Sequence, residues 1–150
     1  MTIDRVTFMS RAQARALRPM AGSAIISINS VSETIAELQP GWAARLTLVF
    51  DDSDDRRSGL RCFTLDMARQ VLDFMREQQS AQKFLYVHCT MGSSRSAAVA
   101  IALSEVFNLA CFKEGVGRTN ASRWPHYNRL VYRMLIDEHL WQEEGIEPYS

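Results

Sequence analysis

Two hydrophobic periods alternate along the chain. Ala24-Ile25-Ile26-Ser27-Ile28 is a β-branched run, and with Arg45 to Phe50 and Phe84 to Val87 it predicts buried strands. Val6 to Met9 is a shorter apolar run, expected at a sheet edge. Between these runs the period becomes helical. Leu65, Ala68, Val71, Leu72 and Met75 form one stripe behind Thr64, a candidate N-cap, in a helix expected to reach about Gln79. An Ala-rich helix is expected from Arg95 through Phe107, and a last one from Tyr127 to about Leu140. Ser10 is a candidate cap for a short helix to Leu17, and a brief helix is expected over Glu33 to Leu38 before Pro40-Gly41 turns the chain. Residues 108–125 are mixed, with Gly115, Gly117 and Pro125 as breakers, and the tail from Gly145 reads as loosely held.

Strands alternating with helices predict a three-layer α/β fold, with a largely parallel sheet of four to five strands flanked by helices. The chain has 150 residues, enough for one domain with a real core, and 1–150 reads as a single domain. In such folds ligands bind beyond the carboxyl ends of strands. Two loops fit that place here: the polar stretch Asp51 to Gly59, and the loop after Val87.

The basic and acidic residues number 17 each, so the chain lacks the cationic excess that a general nucleic-acid or anionic-membrane surface wants. Of the basic residues, fifteen are Arg and two Lys. No run of apolar residues is long enough to span a bilayer, and the N-terminal residues do not resemble a signal peptide. Three cysteines at wide spacing (Cys62, Cys89 and Cys111) do not form a disulfide framework, which fits a reducing, cytoplasmic setting. Cys62 and Cys111 read as buried packing thiols.

Cys89 reads differently. In His88-Cys89-Thr90-Met91-Gly92-Ser93-Ser94-Arg95-Ser96 a cysteine ends a strand, small residues follow, and a helix opens at an arginine. If the loop curls, its successive amides form an anion nest at the positive end of the helix. Gly92 admits a backbone conformation that other residues resist. Arg95 offers a planar fork for two phosphoryl oxygens. The same donors and cation are expected to favour the thiolate of Cys89. Met91 is expected to pack against the floor or rim of the loop. The segment lacks the Gly-Lys-Ser/Thr of a nucleotide P-loop, and it has no second nearby cysteine for a redox pair.

This run resembles the signature of the cysteine-dependent protein tyrosine phosphatases: a His-Cys pair, five residues, then Arg and Ser or Thr. The layout is similar to the compact dual-specificity-like branch over most of residues 24 to 107. The run Pro125 to Arg133 is similar to C-terminal segments of small bacterial and phage members. The resemblance implies that Cys89 is a nucleophile forming a cysteinyl-phosphate. It implies that Arg95 and the amides from Thr90 to Arg95 (Met91, Gly92, Ser93 and Ser94 between them) hold the phosphoryl group. Ser96 would hydrogen-bond the sulfur, and His88 would tune it from behind. A general acid is implied shortly after a strand. That favours Asp52, with Asp51 and Asp55 as rivals. The implied substrate is phosphotyrosine in a protein or peptide, with phosphoserine and phosphothreonine as further options. No metal, organic cofactor, nucleic acid or membrane is implied. A phosphate-reading module without turnover, and a phosphatase acting on a small-molecule phosphate, are the alternatives. Asn128 is a candidate for orienting the loop network, Arg56 and Arg57 read as surface charges with recognition of a second acidic group as the alternative, and Trp42, Trp124 and Trp141 read as packing residues.

Overall fold

In the computed structural model, which describes residues 1–145, one mixed sheet runs through the protein in the order β3-β2-β4-β1-β5-β6. Its strands are β1 (Arg5–Ser10), β2 (Ser23–Asn29), β3 (Ala44–Val49), β4 (Phe84–Cys89), β5 (Ala110–Lys113) and β6 (Gly117–Thr119). All neighbours pair in parallel except β5 and β6, which form an antiparallel hairpin. The α/β class and the largely parallel sheet agree with the sequence. The sheet has six strands because two short ones lie in the stretch read as mixed.

The edge position expected for Val6 to Met9 is corrected. β1 lies between β4 and β5. Its Val6, Phe8 and Met9 are fully buried, which an interior parallel strand covered on both faces requires. The outer strand on that side is β6. Alternation along β1, β2 and β4 splits the core in two. Val6, Phe8, Ile26, Ile28, Leu85 and Val87 point to one large cluster. Met9, Ile25 and Tyr86 point to a small one on the opposite face.

Helices α2 (Leu65–Gln78), α3 (Arg95–Phe107) and α4 (Arg129–Glu144) contribute to the large cluster. Thr64 caps α2 through Met67 N, and the buried face of that helix carries Met67, Ala68, Val71, Leu72 and Met75. In α3 every residue from Arg95 to Leu103 is buried, and four alanines let sheet and helices approach closely. Its last turn closes on Asn108 in the left-handed conformation.

The opposite face is covered thinly, by the six-residue α1 (Arg11–Ala16) and an extended segment. Ser10 and Gln13 form a capping box at the start of α1. No helix forms over Glu33 to Leu38. Two side-chain bonds to the backbone hold the segment extended: the Glu33 carboxylate turns back to Ser30 N at 2.7 Å, and Ala36 N donates to Asn29 Oδ1 at 3.0 Å. The tail beyond Gly145 lies outside the described residues. Among the described residues no helix is long and apolar enough to cross a membrane.

Candidate active site

The loop between β4 and α3 is pinned at its centre by Gly92. Its φ is +71°, and a Cβ there would lie 2.3 Å from Ser10 N and 2.5 Å from Met9 C. Only glycine lets the loop lie this close to the end of β1. The loop's carbonyls are then claimed from outside. Thr90 O accepts from Arg11 N (3.2 Å), Ser93 O from the Trp124 indole (2.9 Å), and Ser94 O from Asn128 N (3.1 Å) and Ala98 N (3.0 Å). The amides are not claimed: among the described residues none from Thr90 to Arg95 donates to a protein acceptor. Carbonyls bonded outward and amides left free are what an anion nest at a helix N-terminus requires.

Cys89 stands at the head of this loop. It is buried, and its Sγ lies 3.1 Å from Ser96 Oγ in the first turn of α3. Arg95 is 4% exposed. Its Nη1 donates to Ser30 Oγ (2.8 Å) and Phe50 O (2.7 Å), and its Nη2 donates to Thr90 Oγ1 (2.9 Å). Its Nε is buried without an acceptor. Among the described residues no carboxylate pairs with its guanidinium. A buried cation without a counter-ion is costly, and an incoming dianion removes that cost.

Behind the sulfur, His88 is fully buried. Its Nε2 lies 2.6 Å from Ser27 Oγ, and its Nδ1 lies 3.4 Å from Cys89 O. Burial pushes the imidazole down to about 4, aided by the charges of Arg11 and Arg95 against the opposing pull of the Cys89 carbonyl. It is therefore neutral at pH 7. Asn29 continues the chain of polar groups. Its Nδ2 donates to Ser27 Oγ at 3.3 Å, and its Oδ1 accepts from Arg11 Nη1 at 3.1 Å. Arg11 faces Glu33 at 3.7 Å, and Glu33 Oε1 accepts from Thr90 Oγ1 at 2.8 Å. Burial raises the Glu33 carboxyl. The Ser30 amide, the Thr90 hydroxyl and the Arg11 charge outweigh it and leave the group below its ordinary value. Arg11, Asn29, Glu33 and Ser30 thus belong to the site, and no motif in the sequence pointed to them.

Of the four aspartates of the polar loop, the three candidate acids have separate places. Asp51 ties its loop to the segment after β2: Oδ1 accepts from Val31 N (3.0 Å) and Oδ2 from Arg61 N (3.1 Å). Asp55 holds Arg57 at 3.3 Å on the exposed side. Asp52 reaches the β4–α3 loop, where its Oδ1 accepts from Ser94 Oγ (2.8 Å) and Asn128 Nδ2 (3.0 Å). Asn128 also caps α4, accepting from Val131 N at 3.1 Å, and donates to Ser53 O at 3.1 Å. One buried asparagine, through its side chain and its backbone N–H, therefore ties together α4, the polar loop and the β4–α3 loop.

Several expectations change. Met91 is 76% exposed, so it does not pack against floor or rim: the Gly92 contact turns its neighbour outward. Cys62 is half-buried on the polar loop, its thiol facing Asp55 O and Leu60 O, because the loop has no core to bury it in. Cys111 is buried, and burial pushes its thiol up to about 12. Trp124 packs edge-on against Phe8 at 5.4 Å while its indole holds Ser93 O, so it supports the loop as well as the core.

No family model and no curated protein matches the chain. Among solved structures, the chain is similar to the human tyrosine phosphatase-like serine/threonine/tyrosine-interacting protein, at 18% identity and a TM-score of 0.49. The match covers 81% of this chain and 78% of that one. At that distance the likeness adds nothing to what the geometry carries.

Proposed function

We propose that the protein is a cysteine-dependent phosphatase acting on phosphotyrosine in proteins or peptides, with phosphoserine and phosphothreonine as further substrates. The observation that carries this reading is a buried thiol, bonded to Ser96, at the head of a loop whose amides and Arg95 Nε have no protein acceptors. Those unclaimed donors fit the oxygens of a phosphoryl dianion.

The Cys89 thiolate attacks phosphorus in line, forming the S–P bond as the P–O bond to the leaving group breaks. Asp52 gives its proton to the leaving oxygen. Its Oδ1 accepts two hydrogen bonds and its Oδ2 has none among the described residues, so Oδ2 is the oxygen free to carry that proton. Water then attacks the phosphoryl group and Asp52 takes its proton. The S–P bond breaks, and Ser96 donates to the departing thiolate. Arg95 Nε and Nη2 bind the equatorial oxygens in both steps.

Hydrolysis of an aryl phosphate tests this. Cys89→Ser is expected to lose turnover and keep phosphate binding. Asp52→Asn is expected to lose rate mainly with poor leaving groups, whereas Asp51→Asn is expected to lose stability. Normal turnover by Cys89→Ser removes the mechanism. A leaving-group effect in Asp51→Asn alone moves the acid to Asp51.

A further inference from the structure

A second cavity, of about 620 Å³, opens on the outer side of the polar loop, between that loop, the start of α2 and α4. Phe63, Leu65 and Met134 give it an apolar wall, Leu60 stands exposed beside it, and Arg56 and Arg61 are at its rim. The arginines distinguish it from an ordinary surface dent. Arg57, between them, is held by Asp55, but among the described residues neither Arg56 nor Arg61 pairs with a carboxylate. The Arg56 guanidinium lies against the Met134 sulfur at 3.6 Å, a weak acceptor, on the apolar wall. The chain is neutral overall, so two unpaired cations beside an apolar cavity are a local feature.

This cavity is joined to the reacting groups. Arg61 and Asp51 exchange two bonds, Asp51 N to Arg61 O at 2.7 Å and Arg61 N to Asp51 Oδ2 at 3.1 Å. Asp52 is the next residue. Phe63, in the cavity wall, packs on Phe50 at 5.0 Å, and Phe50 O anchors Arg95 Nη1. One loop thus presents a cationic, apolar cavity on one side and the candidate acid on the other.

We propose that this cavity is a docking site for an acidic segment of the phosphorylated protein substrate, one that carries an apolar side chain. The inference rests on the phosphatase reading and specifies its substrate class. Acidic residues pair with Arg56 and Arg61, and the apolar side chain enters between Leu60, Leu65 and Met134. Charge complementarity selects this occupant over a neutral peptide. The concave shape and the presence of only two cations favour a peptide over an anionic bilayer.

Two fluorescein-labelled peptides without phosphate test the docking directly: Glu-Asp-Glu-Leu-Glu-Asp and its neutral counterpart Gln-Asn-Gln-Leu-Gln-Asn. The parent protein is expected to bind the acidic peptide saturably, with methyl NMR shifts at Leu60, Leu65 and Met134. It should bind the neutral one at least about tenfold more weakly. Arg56→Gln/Arg61→Gln is expected to lose about tenfold in affinity for the acidic peptide, the effect of two exposed charge pairs. In turnover, kcat/KM for a phosphotyrosyl peptide bearing the acidic tract should fall similarly in that variant, with aryl phosphate hydrolysis unchanged. Equal binding of both peptides, or binding indifferent to the two arginines, overturns the proposal. So does binding to phosphatidylserine vesicles without binding to the peptide. Absence of aryl phosphate hydrolysis in the parent would remove the phosphatase reading and leave the peptide titration to judge the cavity.

Discussion

Gly92→Ala probes the loop at the point where geometry permits least. At φ +71° an L-residue costs about 1–2 kcal/mol. The new Cβ would also stand 2.3 Å from Ser10 N and 2.5 Å from Met9 C. Ordinary carbon contacts begin near ~3.5 Å, so the loop must retreat by roughly 1 Å. The obstacle is backbone at the end of β1, where Met9 and Ser10 are held in register against His88 and Cys89 of β4, so β1 resists giving way. Overpacking of this kind costs about 1–3 kcal/mol, for a combined loss of about 2–5 kcal/mol. A 1 Å displacement of positioned groups costs about 100-fold in rate. Gly145→Ala is the internal control. Its φ is +69°, but among the described residues nothing lies within 4 Å of the Cβ position. It should lose only the conformational part, about 1–2 kcal/mol, and keep full turnover. Urea unfolding gives the stabilities, and aryl phosphate hydrolysis with vanadate-induced Tm shifts reports the loop. Equal destabilisation of the two variants, with parental turnover in Gly92→Ala, would refute the reasoning.

Other perturbations separate the remaining parts. Asn128→Ala removes a helix cap and the Asp52 anchor together: it should cost about 1 kcal/mol in urea unfolding and lower kcat for poor leaving groups. Asn128→Asp keeps the cap but sets a carboxylate against Asp52, so the pH–rate profile should shift upward on the limb that reports the acid; an unmoved profile would show that the anchor does not act on Asp52. His88 gives a pH test of stability. Its imidazole titrates at about 4 when folded, against the usual 6.5, so the unfolded chain binds the extra proton first. The contribution is therefore complete above pH 6.5 and lost as pH falls toward 4, amounting to about 3 kcal/mol. His88→Asn should flatten that part of the stability profile, and a parental slope would place the burial energy elsewhere.

The sequence showed most clearly what depends on local order. The β4–α3 loop carries its chemistry in nine consecutive residues, helix α2 announces itself by cap and period, and α3 by its run of alanines and other apolar residues. Topology was less visible: a short apolar run such as Val6 to Met9 reads the same at an edge as in the middle, because only its neighbours distinguish them. The hairpin of β5 and β6 is too short, at four and three residues, to establish a period. Glu33 to Leu38 has helical propensity, but Glu33 is drawn to Ser30 and Thr90, the latter 57 residues away. Asn128 meets Asp52 across 76 residues. Such pairs leave no local pattern, so the surroundings of Arg95 emerged only from the fold.

Capture of the covalent intermediate tests the central assignment most directly. Asp52→Asn, mixed with a fast-leaving aryl phosphate and quenched in acid within the first turnover, is expected to carry one phosphoryl group per protein. Peptide mass spectrometry should place that group on the Cys89 sulfur, and Cys89→Ser should show none. A competent enzyme whose phosphoryl group is found on another residue, or which turns over without ever carrying one, would contradict the account.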